Sequence, residues 1–128
     1  MAVNAREQEA GFREWLEKIN TSNKLIIVEG KKDAHALCSL GVNNHVVMLS
    51  KKPLYAVVED VAEKTTDVII LTDFDKKGKE LYGKLKKSLI AHGVQVDNTF
   101  REFLQNTGIS HIEGLKTHVQ KYIKGQEL

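Results

Sequence analysis

The sequence predicts an α/β fold, in which helices cover a parallel β-sheet. Short runs of apolar, mostly β-branched residues alternate with longer stretches whose apolar residues recur at helical spacing. The runs 25–28 and 68–71 contain only apolar residues, which is typical of strands buried on both faces of a parallel sheet. Because parallel strands are joined by crossovers of a dozen or more residues, the helical stretches between the runs complete the pattern.

The first half of the chain predicts helix, strand, helix, strand and helix. These elements lie at 5–19, 25–28, 32–40 and 45–49, and in the segment that opens with Ser50 and Pro53. Asn4 and Glu7 resemble a capping pair at the start of the first helix, which carries apolar residues at helical spacing. Gly41 is a usual residue just beyond a helix end, and Pro53 suits a first helical turn.

The second half continues the alternation and then closes with helices. Strands are predicted at 68–71 and 94–96, and helices after Asp75, at 99–106 and at 113–124. The helix after Asp75 turns Leu81, Tyr82, Leu85 and Leu89 inward at helical spacing, while its lysines point elsewhere. Gly93 ends this helix.

Length and composition predict one globular domain. The 128 residues suffice for a single core, and we assign 1–128 to one domain whose core covers about residues 22–97. No apolar run approaches the roughly 20 residues that span a membrane, and the first residues lack a signal-peptide core, so we expect a cytoplasmic protein. The single cysteine, Cys38, is expected to be a small buried residue on a helix.

The distribution of charged residues along the chain is more informative than the net charge. The formal net charge of +2 is too small to indicate nucleic acid by itself. Residues 76–87, however, contain six lysines and one glutamate, directly after Asp73 and Asp75. Such a run is either the solvated face of a helix or a surface that faces phosphates, and the sequence leaves both interpretations open.

Carboxylates directly follow two of the predicted strands. Glu29 ends the run 25–28, and Asp73 and Asp75 follow the run 68–71. If these strands are neighbours, the three side chains converge at the carboxyl edge of the sheet, where α/β proteins bind ligands. Oxygen ligands suit Mg²⁺ better than zinc, and a cation relieves the repulsion between the two aspartates. The alternative is structural, since Asp75 is also suited to cap the following helix.

The residues around Glu29 favour a functional interpretation. The sequence gives this glutamate no structural partner, so it is a candidate metal ligand, or a general acid or base on a phosphodiester oxygen. Gly30 is expected to let the backbone turn or approach a ligand closely. Asp33 is expected to cap the second helix, and Lys31 and Lys32 are placed to meet phosphates.

Other candidate groups are assigned structural roles. The five histidines share no short ligand spacing and are expected at the surface or its boundary: His35, His45, His92, His111 and His118. Tyr55, Tyr82 and Tyr122 lie on helical segments, where core or boundary packing explains them. The glycines form no dinucleotide fingerprint, so no nucleotide cofactor is expected.

Two segments together carry a family resemblance. Residues 28–33, with the sequence VEGKKD, and residues 71–78, with LTDFDKKG, resemble the two motifs of the Toprim domain. The resemblance covers about residues 22–97, and the chain looks most like the stand-alone small primase-like Toprim proteins of archaea and some bacteria. It implies a compact, Rossmann-like fold of about four parallel strands with helices on both faces.

The same resemblance implies a metal site. It places one or two Mg²⁺ ions on carboxylates that match Asp73 and Asp75, with Glu29 assisting proton transfer or sharing the metal. Gly30, Asp33 and Gly78 also match the family pattern. The chain has no room for the tyrosine domain of a topoisomerase or the zinc module of a primase, so neither complete activity is expected.

Two functions of different classes are consistent with these residues. The first is a Mg²⁺-dependent phosphodiesterase with a nuclease-like or RNA-processing activity on nucleic acid, for which RNA is the favoured substrate. The residues that would attract the phosphate backbone are Lys31, Lys32, Lys51, Lys52, Lys76 and Lys77. The second is a non-catalytic module that binds structured RNA or a partner protein and keeps the metal for structure or phosphate recognition. The sequence leaves open whether the chain is an enzyme.

Overall fold

Four parallel strands form the sheet of this protein. The computed structural model describes residues 5–123. The strands are β1 (Leu25–Val28), β2 (Val46–Met48), β3 (Asp67–Ile70) and β4 (Gln95–Val96). They lie in the order β2, β1, β3, β4, and Ile27 is opposite both Val47 and Ile70. β1 and β3 are therefore adjacent at the centre, so their carboxyl ends open side by side.

Six α-helices connect and cover the strands within residues 5–123. They are α1 (Ala5–Ser22), α2 (Lys31–Ser39), α3 (Leu54–Lys64), α4 (Lys76–Ala91), α5 (Thr99–Asn106) and α6 (Leu115–Ile123). Short 3-10 helices occupy Leu49–Lys51 and Ile112–Gly114. None of the helices in this part of the chain is long and apolar enough to cross a membrane.

Alternate residues of the central strands face two separate cores. Ile26 and Val28 belong to a cluster that also contains side chains of α1, α2, α5 and α6. Leu25 and Ile27 belong to a second cluster, with side chains of α3 and α4. Each fully buried side chain of this kind stabilises the fold by roughly 1.5–3 kcal/mol relative to exposure. The predicted α/β fold with helices on both faces of a parallel sheet is confirmed.

The end of α1 differs from the prediction for a local reason. The helix continues to Ser22 instead of ending at residue 19. The hydroxyl groups of Thr21 and Ser22 donate to the carbonyls of Glu17 and Ile19, at 2.8 and 2.7 Å, and so stay within the helix. It ends before Asn23, whose φ of 54° lies in the left-handed region that asparagine tolerates.

Two predicted burials are wrong, and other predictions fall outside the described residues. Cys38 is exposed, because α2 buries Leu37 and turns the next residue to solvent. Tyr55 is 68% exposed, because the inward face of α3 is formed by its valines. Three predictions lie outside the part of the chain that the structure describes: the capping residue Asn4, the helix end at 124 and the side chain of Tyr122.

Candidate functional site

The ends of β1 and β3 bring Glu29 and Asp73 into direct contact. The N–H of Leu71 donates to the carbonyl of Ile27 at 2.8 Å, as in a regular parallel ladder. Two residues later, the N–H of Asp73 donates to Oε2 of Glu29 at 2.8 Å. The Glu29 carbonyl, which would continue the ladder, accepts from the N–H of Ser50 at 3.0 Å instead. The expectation that Glu29 has no structural partner is therefore wrong, since its carboxylate replaces a ladder acceptor.

The carboxyl groups of Glu29, at the end of β1, and Asp33, in the first turn of α2, have raised pKa values. Burial raises the pKa of Glu29, and the negative charges of Asp73 and Asp33 add to this effect, while the hydrogen bond from Asp73 opposes it. Burial also raises the pKa of Asp33, which is 7% exposed. Asp33 accepts from the N–H of Gly30 at 3.0 Å, and its predicted role as a cap of α2 is confirmed. A nearby cation would favour the charged form of both groups.

Asp73 is held from a second side by the segment that follows α5. The N–H of Ile112 donates to Oδ1 of Asp73 at 2.8 Å. The N–H of Phe74 donates to the carbonyl of Ser110 at 2.9 Å, so residues 110–112 run along the strand exit. These two bonds fix the Asp73 carboxylate at the rim of the sheet.

Asp75 has a capping role and faces the same rim. Its Oδ1 accepts from the N–H of Gly78 at 2.7 Å, which confirms that it caps α4. Its Oδ2 lies 3.4 Å from Nε2 of His111. The side chain is exposed, so one oxygen serves the helix while the other points towards solvent and the imidazole.

Asp73, Asp75 and His111 form a group with the spacing of metal ligands. One possible ligand atom from each lies within 4.8 Å of the other two. Two ligands on opposite sides of a Mg²⁺ ion at about 2.1 Å lie about 4.2 Å apart, so small movements suffice to reach a common ion. The two carboxylates, with open positions for water and phosphate, fit the Mg²⁺ that the family resemblance implies.

Sequence reasoning missed His111. The expectation of an ordinary surface histidine rested on ligand spacing, and this residue lies far along the chain from both aspartates. It reaches them because the chain returns to the carboxyl edge of the sheet after α5. Only the topology carries that information, so no sequence signal could have identified it. Glu29 is not a member of this group, and its predicted role as a metal ligand stays a prediction.

Gly78 is required by the fold, whereas Gly30 is not. A Cβ on Gly78 would lie 2.0 Å from the carbonyl oxygen of Asp73. The hydroxyl of Thr72 also donates to the Gly78 carbonyl at 2.8 Å. The start of α4 is therefore in tight contact with residues 72–75, the aspartate segment. Gly30 has an extended backbone with φ −151°, and a Cβ there would meet only the Ser50 hydroxyl, at 3.9 Å. The chain turn expected at Gly30 does not depend on glycine.

Arg101 holds the aspartate segment through hydrogen bonds to its backbone. Its guanidinium donates to the carbonyls of Thr72 and Asp73 at 2.5 and 3.1 Å, and the residue is 5% exposed. The rings of Phe74 and Tyr82 lie 4.5 Å from its central carbon, an arrangement that favours a cation. Burial lowers the pKa of this arginine. The hydrogen-bond partners of the guanidinium are backbone carbonyls, so Arg101 holds this part of the backbone in place.

A cavity of about 550 Å³ opens at this edge of the sheet. Glu29, Asp33, Asp73 and His111 all line it. Three of the six predicted phosphate-facing lysines do so as well: Lys31, Lys32 and Lys77. Lys31 and Lys32 also line an adjoining depression of about 620 Å³ together with Lys116. The site thus combines a carboxylate centre with a cationic border.

The other three lysines lie outside the walls of this cavity. Lys51, Lys52 and Lys76 are exposed. Lys52 forms an ion pair with Asp60, which is a structural alternative for that residue. Their predicted contact with phosphate stays a prediction.

Comparisons with known proteins concern the family and the fold of this chain. Residues 23–100 match the family model of the Toprim domain. The chain is 35% identical over 108 residues to the UPF0292 protein of Methanocaldococcus jannaschii, covering 81% of this chain and 84% of that protein. It is 38% identical over 117 residues to the UPF0292 protein of Thermococcus kodakarensis, covering 91% of this chain and 78% of that protein. A solved structure of a protein from Aquifex aeolicus has a TM-score of 0.73 and 36% identity, covering 79% of this chain and 94% of that one.

Proposed function

Because the chain belongs to the Toprim family, we propose that it is a Mg²⁺-dependent enzyme that cleaves or processes nucleic-acid phosphodiesters. Membership of the family associates the chain with metal binding and with nucleic acid in general. The nuclease-like activity goes further and is our proposal. The hydrogen bond between Asp73 and Glu29 carries it, because it holds a group suited to proton transfer beside Asp73, and both residues line one cavity.

Asp73 and Asp75 are the proposed metal ligands. Each aspartate has one oxygen bound by a backbone N–H, from Ile112 and Gly78 respectively, which orients the carboxylate before a metal arrives. Bound Mg²⁺ would supply positive charge that stabilises a phosphodiester as negative charge develops on it. One or two ions are compatible with this proposal.

Glu29 is the proposed general acid or base. Its Oε2 is engaged by the Asp73 N–H, so Oε1 is the atom that would hold or accept a proton. The carboxylate lies on the wall of the cavity, where a phosphodiester oxygen could approach it. Sharing the metal is the second role proposed for the same group.

Lysines at the cavity border are proposed to attract the nucleic-acid backbone, with RNA as the favoured partner. Lys31, Lys32 and Lys77 act there as exposed point charges, and Lys51, Lys52 and Lys76 extend the cationic surface. Changing the first three together to glutamine is expected to reduce the salt slope of binding by about 2, since a single strand releases about 0.7 counterions per neutralised phosphate. A matched triple variant at the exposed residues Lys64, Lys84 and Lys87 is the control.

Labelled structured RNA and duplex DNA, incubated with the full chain in the presence and absence of Mg²⁺, test the activity. Glu29→Gln is the decisive variant because the amide oxygen can still accept the Asp73 hydrogen bond, so the fold is kept while proton transfer is lost. Glu113→Gln, at the same cavity, is the control. Metal-dependent cleavage that Glu29→Gln abolishes supports the enzyme.

A non-catalytic metal-binding module for RNA or a partner protein is the second candidate. It is favoured by the structural bonds that both Glu29 and Asp75 make, since each carboxylate already stabilises the local backbone. Salt-sensitive binding of RNA without cleavage of either substrate would support this module and contradict the enzyme.

A further inference from the structure

His111 approaches the aspartates from outside the segment that matches the Toprim domain. The matched range ends at residue 100. The chain then forms α5 and returns, so that Nε2 of His111 lies 3.4 Å from Oδ2 of Asp75. The same imidazole joins Asp73 and Asp75 in the group whose ligand atoms lie within 4.8 Å of one another.

The structure also orients the imidazole. The Ser110 hydroxyl lies 3.0 Å from Nδ1 of His111, which leaves Nε2 on the side of the aspartates. A partner on the second ring nitrogen is the usual arrangement at histidine ligands of metals. The neighbouring backbone is fixed as well, because Ser110 accepts from Phe74 and Ile112 donates to Asp73.

A simple ion pair with Asp75 does not account for this arrangement. The side chains of His111 and Asp75 are 51% and 45% exposed, and an exposed pair of this kind contributes little to stability. The imidazole also lines the cavity that contains Glu29 and Asp73. A ligand role explains the approach to both aspartates together.

We propose that His111 is a third side-chain ligand of the metal site, and that it raises the affinity of the site for Mn²⁺ more than its affinity for Mg²⁺. Imidazole nitrogen is a good ligand for first-row transition metals, whereas Mg²⁺ strongly prefers oxygen. This inference rests on the proposed metal site at Asp73 and Asp75. It adds that His111, which lies beyond the residues matched by the Toprim model, affects which cation the site binds.

Pulsed electron paramagnetic resonance of the full chain loaded with Mn²⁺ alone tests the ligand directly. The wild type is expected to show the nitrogen coupling of an imidazole bound to manganese. His111→Ala is expected to lose it. His92→Ala keeps it, because His92 lies at the other end of α4, about 24 Å along the helix axis. A wild-type spectrum without this coupling, or an unchanged one in His111→Ala, overturns the inference.

Calorimetric titration with Mn²⁺ and with Mg²⁺ provides a second readout. His111→Ala is expected to weaken Mn²⁺ binding by about 10-fold or more. Mg²⁺ binding is expected to change much less, so the affinity for Mn²⁺ relative to Mg²⁺ falls. Thermal melting confirms that the variant is folded, and His111→Asn repeats the test with a polar side chain. Equal losses for both metals contradict the selective role.

These measurements separate the inference from the function on which it rests. If Asp73→Asn abolishes Mn²⁺ binding but the wild type shows no nitrogen coupling, the metal site stands and His111 is not a ligand. If the wild type binds neither metal, the site and the inference both fail.

Discussion

Gly78 lies so close to Asp73 that a Cβ on the glycine would be 2.0 Å from the aspartate carbonyl oxygen and 2.5 Å from its carbonyl carbon. The contact involves backbone atoms, so no side-chain rotation can relieve it. The Gly78 N–H also binds Asp75, and its carbonyl accepts from Thr72. The first turn of α4 therefore fixes the direction of both aspartates.

Gly78→Ala is expected to destabilise the protein in spite of the higher helix propensity of alanine. The free energy of unfolding should fall by about 1–3 kcal/mol, because the added methyl group forces α4 away from the Asp73 backbone. Gly83→Ala on the same helix is the matched control, since a Cβ there has no heavy atom within 4 Å. It should stabilise the protein by about 0.5–1 kcal/mol. Urea unfolding measures both, and similar effects of the two substitutions would show that the close contact is not a constraint.

Arg101→Lys is expected to loosen the aspartate segment even though the charge is kept. Lysine cannot bind the carbonyls of Thr72 and Asp73 through a planar fork or stack between Phe74 and Tyr82. The loss should be about 2–4 kcal/mol in the free energy of unfolding, accompanied by weaker Mg²⁺ binding.

The control for Arg101→Lys is a basic residue away from the site. Lys87→Met, at an exposed position of α4, should leave both stability and metal binding within experimental error. Denaturant unfolding and calorimetry measure the two quantities. An Arg101→Lys variant as stable as the wild type would exclude the supporting role of the guanidinium.

Asp97→Asn is expected to reduce stability in a pH-dependent manner. Burial alone would raise the pKa of Asp97, but hydrogen bonds from Lys24 and Thr99 outweigh it and hold the pKa below its usual range. A lowered pKa in the folded state stabilises the protein above the unfolded value of about 3.9, and this contribution is lost as the pH falls through the folded value. The substitution should therefore cost about 1 kcal/mol at pH 7 and progressively less below about pH 3.9.

Asparagine keeps an oxygen that can accept the Thr99 N–H, so this variant isolates the charge. Urea unfolding from pH 7 down to pH 3 measures the difference, with Glu59→Gln at an exposed position as control. A difference between wild type and Asp97→Asn that does not change with pH would contradict the electrostatic explanation.

The central part of the fold was predictable because local patterns and topology agree. Uninterrupted apolar runs gave β1 and β3, and the glutamate and aspartates that end them followed directly. Once the two strands lie side by side, the contact between Glu29 and Asp73 is a consequence of parallel pairing. The sequence pattern was therefore sufficient to predict that Glu29 and Asp73 lie together at the site.

The remaining features depend on contacts distant in sequence. His111 joins the aspartates only because the chain returns to the sheet edge after α5, and Arg101 reaches the Thr72 carbonyl from α5 itself. The exposure of Cys38 and Tyr55 depends on which face each helix turns to its core, and a shift of one residue reverses it. Such details are set by tertiary packing.

Calorimetric titration of Mg²⁺ into the wild type and Asp73→Asn tests most directly whether the carboxylates at the end of β3 bind the metal. Asparagine can still accept the Ile112 hydrogen bond, so the fold is expected to persist. Asp67→Asn, at the opposite end of the same strand, is the control. We predict that Asp73→Asn weakens binding by at least about 10-fold while Asp67→Asn has no effect. Equal Mg²⁺ affinity in the wild type and Asp73→Asn would contradict the proposed site.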